Sequence, residues 1–83
     1  KNLIRVGARL EVKLPYNVRT EPSFQSYSIA VLDPGELFVV IETDVANEDA
    51  TWIRVRLANG EIGWLAIVAD NPNLLFGTPV AGE

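Results

Sequence analysis

The chain reads as an all-β domain. Three observations predict this: period-two alternation of apolar and polar residues recurs, Gly, Pro, Asn and Asp punctuate it at short intervals, and helix-period patterns are hard to find. Its 83 residues are enough for one small domain. A hydrophobic fraction of 48% against 22% charged residues is sufficient to bury a core.

The elements follow in order. From Arg9 to Lys13, Leu10 and Val12 fall on one face and three charges on the other, the signature of a strand with one side buried. Asn17 to Pro22 breaks the pattern, and Ser23 to Ser28, polar apart from Phe24 and Tyr27, reads as a long loop. Ser28 to Leu32 is a short strand closed by Asp33-Pro34-Gly35, where Pro presets φ and Gly supplies the left-handed conformation. Glu36 to Thr43 contains the most β-prone run, Phe38 to Ile41, apolar on both faces like a central strand. Asp44 to Ala50 is acidic and small and reads as an exposed loop. Trp52 to Leu57 sets Ile53, Val55 and Leu57 against Arg54 and Arg56. Asn59-Gly60 then predicts a type I′ hairpin into Glu61 to Leu65. Ile67 to Asn71 suits a single helical or 3₁₀ turn ended by Pro72, and 72–83 reads as a tail or linker, with Leu74 to Phe76 able to add a strand or pack back. The expected core is Leu10, Val12, Val18, Ile29, Val31, Phe38, Val40, Ile53, Val55 and Leu65.

Composition excludes much chemistry. With no Cys, His or Met, there are no disulfides, thiolate zinc sites, Cys nucleophiles or His-based triads. Ser and Thr have no neighbouring base, and the carboxylate pairs Glu42/Asp44 and Glu48/Asp49 fall in loop text without a cleft. Neither a catalytic site nor a cofactor is expected, and Asp44 to Asp49 lacks the alternating ligands and central Gly of an EF-hand calcium loop. A net charge of -4 with seven scattered basic residues argues against nucleic-acid binding. No apolar run approaches the roughly 18 residues of a helical membrane span. Lys1 in first place leads to the expectation that these residues are a segment of a longer chain.

Two stretches carry a resemblance. Asn17-Val18-Arg19-Thr20-Glu21-Pro22-Ser23 is close to N-V-R-S-G-P-S. Trp52-Ile53-Arg54-Val55-Arg56-Leu57 through Asn59-Gly60-Glu61-Ile62-Gly63-Trp64-Leu65 is close to W-x-K-V-x-x-x-x-G-x-x-G-W-V. In this order, with the Pro-Gly turn between them, they resemble the bacterial SH3-like (SH3b) family over about Val6 to Asp70. The resemblance implies a small, partly open barrel of five or six strands occupying 1–71. Two departures stand out: Glu21 takes the place of the usual Gly, so either that position needs no positive φ or the loop differs, and 43–51 is longer than is common.

The resemblance further implies a non-catalytic binding or targeting module of a secreted or cell-envelope protein, contacting a peptide or a peptidoglycan component. Its groove would be floored by Trp52 and edged by Tyr16, Tyr27 and the acidic loop. Aromatics with polar tips suit such a surface, although Trp52 and Trp64 also fit as packing at the barrel ends. Arg19 is a candidate to hold a carboxylate in a fork, or to pair with Glu21 or another loop acid. Glu48 and Asp49 are candidates for cationic groups, beside the plainer reading of a solvated acidic face. Where SH3 domains that read polyproline have Pro-Ser-Asn-Tyr, this chain has Ala66-Ile67-Val68-Ala69, which disfavours that ligand. The alternative role is a structural spacer or self-association domain packed on neighbouring domains, motivated by the tail from Leu74 to Val80.

Overall fold

A computed structural model describes residues 4–67. Among these residues every regular element is a strand: β1 (Arg9–Glu11), β2 (Tyr16–Arg19), β3 (Ser28–Leu32), β4 (Leu37–Asn47), β5 (Ala50–Leu57) and β6 (Ile62–Ile67). They form one antiparallel sheet in the order β1-β4-β5-β6-β2-β3, so β1 and β3 are its edges. The helical turn expected over 67–71 falls largely outside the described residues, Ile67 being the last residue of β6. The tail 72–83 lies outside them as well.

Alternation places the core. On β5, Ile53, Val55 and Leu57 are buried while Arg54 and Arg56 are exposed. Leu10, Val12, Val18, Phe38, Val40 and Leu65 join them as expected, with Ile4, Ala8 and Leu32 added from positions not anticipated. Ile29 and Val31 are not core residues; they are 36% and 55% exposed. The register with β2 explains the correction: Val18 faces Ala30 and Tyr16 faces Leu32, so the smaller residue and the strand's last one point inward. Ile29 is the extra residue at a bulge opposite Val18/Arg19.

The acidic stretch 44–50 is a hairpin, not an open loop. Strand β4 runs on to Asn47, which pairs with Ala50, leaving a two-residue turn of Glu48 and Asp49. Their φ angles of 55° and 60° put both central residues in the left-handed region, as a type I′ turn requires. Nine steps along β4 from Phe38 to Asn47 face seven along β5, the surplus being taken up by two irregularities, one of them spanning Asp44 with its φ of 63°. Each extra residue bends and twists the strand, and together they let one long strand curve with the sheet.

The hairpin at Asn59-Gly60 exists with a different turn. Only Gly60 has positive φ, at +92°. Its N–H donates to the Leu57 carbonyl at 2.9 Å, and the Leu57 N–H donates to the Glu61 carbonyl at 2.8 Å. The loop is therefore three residues long, Ala58 to Gly60, ending in a left-handed glycine. The Asp33-Pro34-Gly35 turn is as expected, closed by the Glu36 N–H on the Asp33 carbonyl at 3.0 Å, with Gly35 at φ +98°.

Gly63 sits where the sheet leaves no room for a side chain. A Cβ there would meet Val18 Cγ1 at 2.4 Å and the Arg19 carbonyl oxygen at 2.9 Å. Gly63→Ala is expected to destabilise the domain by about 1–3 kcal/mol through overpacking. Gly60→Ala, where a Cβ meets nothing within 4 Å, should cost only about 1 kcal/mol of backbone strain. Urea unfolding checks the order. Asp49→Gly, which relieves one strained turn residue, should instead stabilise by about 0.5–1 kcal/mol.

Candidate functional site

The long loop, 20–27, folds back over the outward side of β5. It is closed at its base by the Thr20 N–H on the Tyr27 carbonyl at 2.9 Å. Glu21 is not among the residues at positive φ, so the glycine usual at that position is not required here. The Ser26 hydroxyl bridges the loop, lying 3.0 Å from the Glu21 carbonyl and 2.7 Å from that of Ser23.

The tip of the β4–β5 hairpin clasps this loop. The Glu48 carboxylate accepts from the Phe24 N–H at 2.7 Å and from the Ser23 hydroxyl at 2.8 Å. The Asn47 amide donates to the Pro22 carbonyl at 2.7 Å. These donors hold the Glu48 carboxyl below the usual carboxylate range, the Phe24 N–H contributing most. Glu48 is thus turned inward on its own chain, and Asp49 stands exposed at the tip.

Clasping the loop brings two aromatic rings together and buries one of them. Trp52 lies on the face of β5 opposite Ile53 and Val55 and belongs to no part of the main core, yet it is 0% exposed. The Phe24 ring covers it, centroid to centroid 4.8 Å at a 55° tilt, and its indole N–H donates to the Asn47 carbonyl at 3.0 Å. The expected role of Trp52 as the accessible floor of a groove is therefore corrected: the chain's own Phe24 occupies that place. Phe24, 43% exposed, is the aromatic face that remains. Its signal in the sequence was slight, a single aromatic residue inside a polar loop.

A groove of about 320 Å³ runs beside Phe24, lined among the described residues by Leu14, Pro15, Tyr16, Asn17, Arg19 and Ala66. Tyr16 is half-buried, and its hydroxyl donates to the Ala66 carbonyl across the gap. Arg19 donates from Nη1 to the Ser26 carbonyl at 3.0 Å, its guanidinium carbon 6.0 Å from the Phe24 ring centroid. It forms no pair with Glu21. Of the expected site residues, the structure brings Tyr16 and Arg19 together and adds Phe24. It leaves Tyr27 apart, 84% exposed and not lining the groove. Trp64 is half-buried on the outward face, with Arg54 5.7 Å from its ring centroid.

A six-stranded sheet with a long clasped loop and a shallow aromatic groove defines a small β-domain of SH3-like architecture. The model of the bacterial SH3 domain family matches residues 13–70, and the chain belongs to that family. It is also similar to part of the teichoic acids export ATP-binding protein TagH of Bacillus cereus, 39% identical over 51 residues. The TagH protein of Bacillus anthracis is 31% identical over 51 residues. Each match covers 60% of this chain and 9% of the relative, so the chain corresponds to a small part of those proteins. No solved structure matches it significantly.

The clasp has a pH signature. A carboxyl held below its unfolded-state value contributes stability above that value and loses it as the pH falls through the folded one. The clasp is expected to be intact at neutral pH and to open only on acidification below the ordinary carboxylate range. Glu48→Ala should accelerate amide exchange at Phe24 at pH 7 while leaving core amides of β5 protected. Unchanged exchange at Phe24 would remove the carboxylate from this role.

Proposed function

We propose that the domain is a non-catalytic binding module of a bacterial secreted or cell-envelope protein, holding a peptide or cell-wall component in the groove between Tyr16 and Phe24. The observation that carries this reading is the convergence of Tyr16, Arg19 and Phe24 on one cleft, lined mainly by apolar and aromatic residues with Asn17 and, among the described residues, a single cation. The bacterial SH3 domain is generally a non-catalytic binding domain and often a cell-wall binding module. Similarity to part of a protein named for teichoic acid export also supports an envelope setting. The groove lies at the lower end of the ~300–1,000 Å³ range of ligand sites, which suits a short segment rather than a folded partner.

Retention on purified peptidoglycan tests the reading. Phe24→Ala, which removes the exposed aromatic wall, should weaken retention roughly tenfold, the loss expected of a central aromatic contact. Ile62→Ala, an exposed position on β6 outside the groove lining, serves as the control and should bind like wild type. Equal retention of both variants would take the groove out of the account.

A further inference from the structure

We infer that the groove recognises the free C-terminal carboxylate of a short peptide, with Arg19 as the group that receives it. The inference rests on the binding reading above and names the ligand's chemical class.

Among the described residues no carboxylate pairs with the Arg19 guanidinium. Among the described residues its guanidinium has one hydrogen bond, from Nη1 to the Ser26 carbonyl, a neutral acceptor. No carboxylate lines the groove among the described residues. On a domain of net charge -4, the groove is thus a positive spot in an acidic surface. The acid on the facing hairpin, Glu48, has its two oxygens taken by Phe24 N–H and Ser23 Oγ. The clasp thereby engages both oxygens of that acid.

Geometry favours a planar acceptor. The bond to Ser26 holds one arm of the guanidinium fork, and the Phe24 ring centroid lies 6.0 Å from the guanidinium carbon. A guanidinium with one arm engaged keeps further N–H donors for a two-oxygen acceptor, the pairing in which Arg and carboxylate are strongest. Half-burial strengthens it further, because screening by water is reduced. Leading up to Arg19, the lining of Leu14, Pro15, Tyr16 and Ala66 is apolar or aromatic and offers contact to small side chains. Ser26 and Phe24 of loop 20–27 stand beside the guanidinium; a chain that ends at Arg19 meets it with a carboxylate, where a continuing chain would offer only neutral amides.

Two peptides decide the matter: N-acetyl-Ala-Ala-Ala with a free C-terminus and its C-terminal amide, titrated by NMR into wild type and Arg19→Gln. With wild type, the acid should shift Tyr16, Phe24 and Ala66 resonances and bind roughly tenfold tighter than the amide. In Arg19→Gln that preference should vanish, because both changes remove the same interaction. Arg19→Lys, which keeps the charge and loses the fork, should retain only part of it. Equal binding of acid and amide in the groove overturns the carboxylate assignment and leaves the groove reading standing. A preference that persists undiminished in Arg19→Gln overturns it too. Displacement of the acid by equimolar inorganic phosphate would make this a general anion site and overturn the peptide end. Absence of any shift at Tyr16, Phe24 and Ala66 with either peptide overturns the groove reading and this inference with it.

Discussion

The sheet is joined at one narrow place. Strands β1, β4, β5 and β6 pair along their lengths, and so do β2 and β3, but β2 meets β6 through the single register pair Arg19 and Trp64. Beside that pair, Gly63 leaves no room for a Cβ, and Val18 fills the space. The absence of one methyl group therefore lets the two parts share a core. It also sets where Arg19 emerges, since the residue that makes the pairing also lines the groove.

A second layer of construction lies outside the core. Trp52 is covered by groups outside the main core: Phe24 of the long loop, Asn47 at its indole nitrogen from the end of β4, and Glu48 of the hairpin turn fixing the segment that carries Phe24. The hairpin tip that provides these groups accepts two non-glycine residues at positive φ. Backbone strain of this kind persists where surrounding structure over-determines it, and here three hydrogen bonds from tip to loop do so. The acidic stretch is thus a structural clasp on one side and a solvated tip at Asp49 on the other.

Much of the architecture was legible in the residues. Alternation on Trp52 to Leu57, the Pro-Gly turn at 34–35 and the two matched stretches identify the all-β class, most of the core and the family. What was not legible has a common cause: outcomes set by pairing between distant strands rather than by local pattern. Four successive apolar residues from Ile29 to Leu32 do not say which pair faces in; the register with Val18 and Tyr16 does. Asp44 to Ala50 carries no turn signal of the usual kind, and it is the pairing of Val45, Ala46 and Asn47 with β5 that makes it strand. Asn59-Gly60 signalled a hairpin correctly, but the strand register around it selects a three-residue loop. For the site, Tyr16 and Arg19 were visible as candidates. Phe24 was hidden because its role depends on the loop folding back over Trp52.

The two tryptophans sit in opposite environments. Trp52 is sealed from solvent beneath Phe24, while Trp64 is half-buried on the outward face with an arginine beside its ring. Indole emission depends on the polarity around the ring, so the molecule carries two optical reporters of separate events. One is sensitive to the lifting of the long loop, the other to the outer face of β6. With Trp64 replaced by phenylalanine, the remaining signal would follow the loop alone, without any attached label.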